Sequence, residues 1–313
     1  MAVRVAEQVS VVIVSHRTPA LTKRAADSAL TSEVGRVIVI DNASGDDTLS
    51  LLGQVDRQSV IESEVNSGFG TAANLGARAA DRDMIVFLNS DAFLTTEVVR
   101  VLADETDRHG GKAIVGARLV GPDGSLQRSA GVRPAPLDLS LRFLGVHHIA
   151  HWVSAAPLIG TAVRRTRLSR EYDTAALATE ATNTSMVSGA CFAIGRDAFW
   201  ELGGFDERFF MYFEDADLCR RAEEAGMPIR YVPSAVVTHV GGASSEGDYH
   251  YSPLYARSMR QYLEKWWGTP GAALAILLLW LRLVGLALTL HRDTGQAFAA
   301  LQAALRPEEP AGR

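Results

Sequence analysis

The stretch MIVFLNSD, residues 84–91, decides the fold class of this chain. Its first five residues are all apolar, and Asn89, Ser90 and Asp91 follow them directly. An uninterrupted apolar run of this length, bounded by polar residues, is typical of a strand buried on both faces of a sheet. The polar residues then lie at the carboxyl end of the strand, which is where parallel sheets bind ligands.

Similar strand patterns alternate with helix patterns along most of the chain. In the first third, strands are predicted at Val9–Ser15 (VSVVIVS), 37–40 (VIVI) and 60–64, and helices at 18–30, 46–52 and 70–80. In a later block, strands are predicted at 186–194 and 229–232, and helices at 196–202 and 215–225. This alternation predicts an α/β fold with a mostly parallel sheet and helices on both of its faces.

The domain organisation follows from the segments that lack this alternation. Residues 134–185 carry no clear strand pattern, and the chain becomes helical and apolar from about residue 251. We therefore predict one domain over residues 1–250, with 134–185 as an insertion, and a C-terminal helical extension over 251–313.

Composition and charge limit the possible classes of protein. The 313 residues are 47% hydrophobic and 21% charged, which is a globular composition and excludes a disordered chain. Two cysteines and no signal-peptide pattern predict a reduced, cytoplasmic setting. The net charge is −5, yet residues 134–170 and 256–292 each carry five Lys or Arg against a single acid. Basic, apolar-rich segments on an acidic body favour contact with an anionic membrane surface, at the inner face of the plasma membrane, over nucleic-acid binding. They could also be ordinary solvated helix faces.

The C-terminal stretch 271–290 is twenty residues long with one charge, Arg282, and follows the pair Trp266 and Trp267. Its length would just span a bilayer, but Arg282 near its centre would cost about 3 kcal/mol. The flanking Trp and basic residues suit a helix that lies in the membrane interface. A helix that forms a homodimer or packs on the core is a further alternative.

The glycine stretch at residues 68–73 matches G-x-G-x-x-A, a pattern found in dinucleotide-binding proteins. That fingerprint belongs to the first strand–helix turn of the sheet. Here the first turn is residues 15–19, which contain no glycine. We therefore reject a nicotinamide or flavin site.

Four polar groups stand at strand ends or at a helix start: Asp41, Asn66, Asp91 and the pair Glu214 and Asp215. Taken singly, each is most simply a turn residue or a helix-capping acid. Their shared placement at one edge of one sheet makes them candidates for a functional site.

The order of these motifs resembles the inverting glycosyltransferases of family 2, which have the GT-A, Rossmann-like fold. The resemblance covers roughly residues 9–245 and is strongest to the bacterial rhamnosyltransferase branch. It is carried by VVIVSHR (11–17), VIVIDNAS (37–44), NSGFGTAANLG (66–76), VFLNSDA (86–92), VSGACFAIGRDAF (187–199), GGFDERFFMYFEDADLCRR (203–221) and VVTHVGG (236–242).

The resemblance implies a role for each matching residue. Those implied to bind the nucleotide are Ser15, His16, Asp41, Asn66, Gly68, Gly70, Asn74, Asn89 and Ser90. Asp91 keeps the final Asp of the family's D-x-D metal motif, and His239 matches a histidine that can join the metal site in relatives. Asp215, preceded by Glu214, corresponds to the catalytic base. The 134–170 segment would form an acceptor-side flap.

The chemistry of sugar transfer agrees with these roles. A departing nucleoside diphosphate concentrates negative charge, which a hard cation held by oxygen ligands offsets. Asp91 suits Mg²⁺, whereas an imidazole such as that of His239 would favour Mn²⁺. Inversion needs a carboxylate on the opposite face to take the proton of the acceptor hydroxyl. His239 could equally be a structural histidine, and Asp215 a helix-start acid.

Three positions depart from the family pattern. Arg17 stands where relatives often have Asn, and Asn89 replaces the first Asp of D-x-D. The strand before Ser188 reads Thr184, Ser185 and Met186 where many relatives have an Asp-Trp pair, which puts the acceptor or sugar pocket in doubt.

The resemblance predicts an enzyme that transfers rhamnose from dTDP-rhamnose to a lipid-linked or polysaccharide acceptor. A UDP- or GDP-sugar donor is an alternative, and so is a non-catalytic scaffold that only binds sugar nucleotides. A nucleotidyltransferase would need a glycine-rich basic loop after the first strand, and the sequence has none.

Overall fold

The computed structural model describes residues 6–136, 139, 178–241, 252–288 and 294–305. Most of the predicted insertion at 134–185, including its arginine-rich part and the predicted flap, therefore lies outside the described residues. Arg292 and the C-terminal residues 306–313 lie outside them as well.

The first third of the chain builds a parallel half-sheet. Its elements are β1 Val9–Ser15, α1 Pro19–Thr31, β2 Arg36–Asp41, α2 Thr48–Leu52, β3 Gln58–Glu62, α3 Phe69–Ala79 and β4 Met84–Asn89. The strands pair in the order β3-β2-β1-β4, all in parallel. Every strand and helix predicted for this third is confirmed, with ends that differ by at most two residues.

The second part of the chain extends this sheet. Its elements are β5 Ala92–Phe93, α4 Thr96–Arg108, β6 Ile114–Val120, β7 Ala130–Gly131, β8 Thr182–Asn183, β9 Met186–Val187, β10 Cys191–Gly195, α5 Arg196–Glu201, α6 Glu214–Glu224 and β11 Ile229–His239. The sheet continues β4-β10-β6-β11-β5, and β8 also pairs with β11, whereas β7 and β9 form a separate pair. Because β10 runs antiparallel to β4 and β6, the sheet is mixed but mostly parallel, as predicted.

Three predictions in this part need correction. The strand predicted at 186–194 is two strands, because the chain leaves the ladder at residues 188–190. The strand predicted at 229–232 continues to His239 past a register shift between Val232 and Val236, a stretch that contains Pro233. Proline has no N–H to donate to a ladder, so an irregularity there is expected. The short strand β8 lies inside the segment predicted to have no strand.

The sheet order reverses direction around β1, which lies between β2 and β4. In the observed register Ser15 pairs with Asp41 and Val14 pairs with Asn89, so the carboxyl ends of the three strands lie side by side. A crevice outside the strand ends at such a reversal is the usual ligand site of α/β sheets.

Two apolar cores cover the two faces of the sheet. One packs α1 and α4 against the sheet, and the other packs α3, α5 and α6 against the opposite face. The second core contains four aromatic rings in mutual contact, those of Phe87, Phe192, Phe199 and Phe205. Both faces are therefore buried, which explains why the strand sequences are continuously apolar.

The C-terminal extension packs on this domain as two helices, α7 Pro253–Leu288 and α8 Thr294–Leu305. Gly268, with φ +65°, interrupts α7 two residues before Pro270. The part of α7 before Gly268 forms a third apolar core with the segment that leads into α6. Trp266 and Trp267, predicted to flank a membrane helix, are half-buried, and both rings lie against the guanidinium of Arg220 in α6. No helix in the described part of the chain is long and apolar enough to cross a membrane.

Candidate active site

Asp41 ends β2 beside the end of β1 and lies almost wholly inside the protein. Its side chain is 3% exposed, and its Oδ1 has no hydrogen-bond partner among the described residues. An unpaired buried carboxylate oxygen costs free energy. Asp41 is therefore suited to accept a hydrogen bond from a bound ligand.

His16, Asn42 and Asn66 form a hydrogen-bonded network next to Asp41. The Nδ1 of His16 lies 3.0 Å from the carbonyl oxygen of Asn42, so it carries the ring hydrogen. Nε2 is then free to accept from Nδ2 of Asn66 at 3.2 Å. Asn42 in turn donates to Oδ1 of Asn66 at 2.9 Å. The network fixes the tautomer and the orientation of His16 at the edge of the site.

Two residues predicted to bind the nucleotide use their side chains in the interior instead. Ser15 is fully buried, and its hydroxyl lies 2.7 Å from that of Thr22. Asn74 is 2% exposed, and it both donates to and accepts from the backbone of Phe205. The geometry thus gives Ser15 and Asn74 structural roles.

The backbone of the segment before α6 packs directly against the glycine stretch at residues 68–73. Phe69 donates to the carbonyl of Phe210 at 2.8 Å, and a Cβ on Gly68 would stand 2.2 Å from the same oxygen. A Cβ on Gly70 would lie 3.2 Å from Cβ of Phe205. These glycines allow the segment before α6 to lie against α3, and this close approach accounts for them without a dinucleotide.

Asp91 and His239 meet on the other side of the β4 end. Oδ1 of Asp91 lies 3.2 Å from Nε2 of His239, and its Oδ2 accepts from the backbone N–H of Gly241 at 3.0 Å. Asn89, at the end of β4, contacts the same Nε2 at 3.5 Å. Antiparallel pairing of β11 with β5 places His239 opposite Ala92, next to Asp91.

Gln127 fixes the tautomer of His239, a role that the sequence motifs do not predict. Its Nε2 donates to the carbonyl of His239 at 2.8 Å, so its Oε1 faces the ring Nδ1 at 2.7 Å. Nδ1 therefore carries a hydrogen, and the lone pair of the neutral ring is on Nε2. When the ring is neutral, Nε2 of His239 and Oδ1 of Asp91 are two electron-pair donors that face each other, as the ligands of a divalent cation do. When the ring is protonated, Nε2 donates to Asp91 in an ion pair.

This pair is a small ligand set. The described residues contain no group of three or more His, Cys, Asp or Glu side chains that could hold a metal. Mg²⁺ and similar cations in phosphate-binding sites often take only one or two protein ligands, and the remaining positions are filled by substrate oxygens and water. Asp91 and His239 fit a cation of that kind.

Ser90 connects the end of β4 to the turn after β1. Its hydroxyl lies 3.0 Å from that of Thr18, in the turn after β1. The same turn contains Arg17, whose φ of +57° is rare for a residue with a side chain, and the backbone N–H of Arg17 donates to Ser44. The arginine that departs from the family pattern therefore lies, exposed, between the two halves of the site.

Glu214 and Asp215 begin α6 in different environments. Asp215 accepts hydrogen bonds from the backbone N–H groups of Gly189 at 3.0 Å and Ala216 at 2.7 Å. Burial raises the pKa of Asp215 nonetheless. Glu214 is 7% exposed, and its Oε2 has no partner among the described residues. Burial and the neighbouring charge of Asp215 raise the pKa of Glu214 to about 8.

The turn at residues 188–190 connects the carboxylates of α6 to the end of β4. Gly189 donates to Asp215, and the next residue, Ala190, accepts from the N–H of Asn89 at 2.9 Å. A Cβ on Gly189 would touch Cβ of Asp215 at 3.4 Å. The break in the predicted 186–194 strand thus connects Asp215, through two hydrogen bonds, to the end of the strand that precedes Asp91.

A separate cavity of about 360 Å³ lies between α3, α5 and α7, where Trp200 and Lys265 contribute to its lining. Of the predicted site residues within the described chain, only Asn74 lines it. The candidate site is therefore at the strand ends and not in this cavity.

The comparisons with known proteins agree with this geometry. The model of the family described as "Glycosyl transferase family 2" matches residues 10–203. A rhamnosyltransferase of Mycobacterium tuberculosis, N-acetylglucosaminyl-diphospho-decaprenol L-rhamnosyltransferase, is 31% identical over 75% of this chain and 77% of its own length. The chain belongs to glycosyltransferase family 2.

Solved structures of glycosyltransferases share the fold. GalNAc-T7 with UDP, GalNAc and Mn²⁺ superposes with a TM-score of 0.57 at 18% identity, over 83% of this chain and 48% of that one. The mannosyltransferase PcManGT of Pyrobaculum calidifontis, in complex with GDP-Man and Mn²⁺, gives 0.52 at 17% identity over 95% and 85%. At these identities the likeness concerns the fold, which is the predicted GT-A-like sheet of this family.

Proposed function

We propose that this family 2 glycosyltransferase is an inverting enzyme that moves a sugar from a nucleoside diphosphate to an acceptor hydroxyl. The observation that supports this best is the 188–190 turn. It accepts a hydrogen bond from Asn89, at the end of β4, and donates one to Asp215, so one short turn joins the proposed base to the strand end that precedes Asp91. In the proposed mechanism the base and the metal pair would then face one donor. Inverting transfer needs that arrangement, since attack and departure occur on opposite faces of the same carbon.

The donor would lie across the ends of β1, β2 and β4. Oδ1 of Asp41 is placed to accept the N–H of a pyrimidine base, and His16 and Asn66 would border the nucleoside. The M. tuberculosis relative is a rhamnosyltransferase, which supports rhamnose from dTDP-rhamnose as the donor. The structural neighbours contain UDP and GDP-Man, so UDP- and GDP-sugars are the alternatives to test.

Asp91 and His239 would hold the divalent cation, Mg²⁺ or Mn²⁺, with Asn89 and Ser90 beside the phosphates. Both structural neighbours contain Mn²⁺, and the nitrogen ligand of His239 favours Mn²⁺. When bound, such a cation offsets the charge of the departing diphosphate. Gln127 keeps the lone pair of His239 turned toward Asp91, which is the state needed for binding a metal.

Asp215 would take the proton of the acceptor hydroxyl. Its raised pKa makes it a stronger base than an exposed aspartate, while the two backbone N–H groups hold its orientation. Glu214, with a pKa near 8, would be mostly protonated at pH 7 and leave Asp215 as the charged member of the pair. This division of roles favours Asp215 as the base.

The acceptor would be a lipid-linked or polysaccharide hydroxyl, since the M. tuberculosis relative is named for a decaprenol-linked one. Such an acceptor would place the enzyme at the cytoplasmic face of the plasma membrane. Residues 1–250 would form the transferase domain, with 134–170 as an acceptor-side flap, and residues 251–313 would provide the membrane contact or a homodimer contact. No nucleic acid is expected as a partner.

Turnover of sugar nucleotides by the purified chain tests the proposal. With Mn²⁺ or Mg²⁺ and dTDP-, UDP- and GDP-sugars, Asp215→Asn should lower kcat at least 100-fold and leave donor binding, read by thermal shift, unchanged. Asp91→Ala should weaken metal-dependent donor binding. Asp197→Asn is the matched control, since Asp197 is also a first-turn acid but is exposed on α5. Wild-type rates in both Asp215→Asn and Asp91→Ala would exclude the mechanism.

A further inference from the structure

The segment that leads into Asp215 has a costly backbone conformation. Tyr212 and Phe213, the two residues before α6, have φ of +70° and +68°. Left-handed conformations of non-glycine residues are energetically unfavourable and persist only where the surroundings impose them. Contacts with the rest of the protein must therefore stabilise this conformation. We call the segment that leads into Asp215, residues 206–213, the base loop.

One side of the base loop rests on the glycine stretch, as described above for Phe210. The other side rests on α7, in the C-terminal extension. The hydroxyl of Ser258 donates to the carbonyl of Met211 at 2.7 Å. The rings of Tyr255 and Tyr262 lie 5.1 Å and 5.2 Å from the ring of Phe213. Helix α7 therefore contacts the two strained residues and the residue before them.

Lys265 of α7 connects the start of the base loop to the first turn of α6. Its ammonium lies 2.7 Å from Oδ2 of Asp206, at the start of the loop, and 2.6 Å from Oδ1 of Asp217, in the first turn of α6. Asp217 is fully buried, and Trp266 and Arg221 also donate to it. Buried charges must be paired, so this contact fixes the spacing between the loop and the helix.

The environment of Asp206 shows that the contact with Lys265 is favourable. Burial alone would raise the pKa of Asp206, but hydrogen bonds from Arg208 and Lys265 outweigh burial and hold the pKa well below its ordinary value. Asp206 therefore stays charged. Lys265 thus contacts one carboxylate at the start of the base loop, that of Asp206, and one in the first turn of α6, that of Asp217.

We propose that Lys265 is a positioning residue for Asp215: by bridging Asp206 and Asp217 it keeps the base loop in its strained conformation and the base in place. The C-terminal extension then contributes to the geometry of the active site and does not only pack on the domain. This inference rests on the proposed function, because it assigns a role in proton transfer to the contacts of α7.

The test uses the full chain and compares Lys265→Met with Lys265→Arg. The donor is dTDP-rhamnose, or the UDP- or GDP-sugar that the wild type turns over. Lys265→Met should lower kcat at least tenfold with the donor KM within twofold of wild type, because Lys265 does not touch the strand ends. Lys265→Arg, which keeps the charge, should recover at least half of the rate. Lys112→Met is the matched control, since it removes an exposed ion pair with Glu201 on another face.

Hydrogen–deuterium exchange provides a readout that does not depend on activity. Amides of residues 206–217 should exchange faster in Lys265→Met than in wild type, while those of β1 and β4 stay unchanged. A folded Lys265→Met with wild-type kcat, or with unaltered exchange at 206–217, would overturn the inference. So would a change confined to KM.

Two further outcomes are distinguishable. If Lys265→Met does not fold, Asp206→Asn decides by the same criteria, since it removes the charge at the loop end of the bridge and leaves Lys265 paired with Asp217: wild-type kcat overturns the inference, and a lower kcat with faster exchange at 206–217 supports it. If the wild type turns over no sugar nucleotide, the proposed function fails. Faster exchange in Lys265→Met would then still assign the bridge its effect on the loop.

Discussion

At the scale of single residues, the adjacent carboxylates Glu214 and Asp215 show how environment separates two similar groups. Asp215 has two backbone N–H donors, whereas one oxygen of the buried Glu214 has no partner among the described residues. Two neighbouring carboxyls that cannot both ionise at low cost divide into an acid and a base. The sequence places the pair at a helix start, and the contacts show that the two carboxyl groups lie in different environments.

The raised pKa of Glu214 predicts how stability depends on pH. An exposed glutamate ionises near 4.5, and Glu214 in the folded chain ionises near 8. Between these values the folded state binds a proton at Glu214 that the unfolded state has lost, so the contribution of Glu214 to stability is greatest below pH 4.5 and falls as pH rises to 8. The slope should approach ~1.4 kcal/mol per pH unit in this window. Denaturant unfolding between pH 5 and 8 measures it.

Glu214→Gln should flatten this slope, because glutamine keeps the shape and cannot ionise. The variant should match the wild type near pH 5 and exceed its stability at pH 8. Glu201→Gln, at an exposed glutamate, controls for a general effect of charge removal. An identical pH dependence in Glu214→Gln and wild type would show that Glu214 ionises normally.

At the scale of elements, the glycine stretch at the start of α3 is a packing surface. Gly68 has a left-handed φ of +83°, and a Cβ there would collide with the Phe210 carbonyl. Gly53, at the end of α2, has a similar φ of +59° but open space around it. Both glycines have ψ near 180°, −166° at Gly53 and 172° at Gly68, a region almost restricted to glycine, so Gly53→Ala should cost about 1–3 kcal/mol of backbone strain. Gly68→Ala should cost about 2 kcal/mol more, because its Cβ would also collide with the Phe210 carbonyl.

Urea unfolding of the two glycine variants measures the difference, and Gly68→Ala should also lower kcat since the base loop must move. Equal stability losses in Gly53→Ala and Gly68→Ala would mean that the base loop does not rest on Gly68. The comparison separates the effect of φ, which both positions share, from that of contact, which only Gly68 has.

Sequence patterns predict the elements of this fold unevenly, for physical reasons. Strands buried on both faces, such as β1, are continuous apolar runs and are predicted to the residue. Helix α4 is not among the predicted helices, although the helical spacing of its buried residues Val98, Leu102 and Thr106 is a usable signal. The end of β11 is missed because Pro233 interrupts the strand pattern without ending the strand.

The residues of the candidate site are also predicted unevenly from the sequence. Asp41 and Asp91 can be predicted because parallel strands bring their carboxyl ends together. Gln127 could not be found, because it reaches His239 across 112 residues and no local pattern marks it. The buried hydrogen bonds of Ser15 and Asn74 also could not be predicted, because no sequence pattern identifies their partners. Long-range side-chain contacts are the part of the site that motifs do not contain.

At the scale of the whole molecule, α7 links the candidate site to an apolar surface. Before Gly268 it holds the base loop, and after Gly268 it packs with α8. This second part exposes Leu277 and Trp280, each 50% exposed, and α8 exposes Phe298 and Leu305. Residues three or seven positions apart share one helix face, so each helix presents an apolar pair.

We expect these four side chains to contact a lipid surface. The stretch from residue 268 to 290 contains Arg282 and no acid, which suits an anionic bilayer better than a polar partner. Trp280→Ser combined with Phe298→Ser should reduce binding to vesicles of anionic phospholipid at least tenfold, measured by co-sedimentation. Leu51→Ser, at an exposed leucine on α2, should leave binding unchanged.

Sedimentation velocity without lipid distinguishes a bilayer from a second copy of the chain, because both would cover the same side chains. A dimer that the double variant converts to a monomer, with vesicle binding equal in wild type and variant, would assign the surface to self-association. A monomeric wild type whose vesicle binding weakens as salt rises would assign it to an anionic membrane, since screening reduces the attraction of basic residues to charged lipids. In that case the part of α7 after Gly268 would contact the membrane, while Lys265, in the part before Gly268, contacts the base loop. A lipid-linked acceptor would then approach the enzyme from the same membrane surface that α7 contacts.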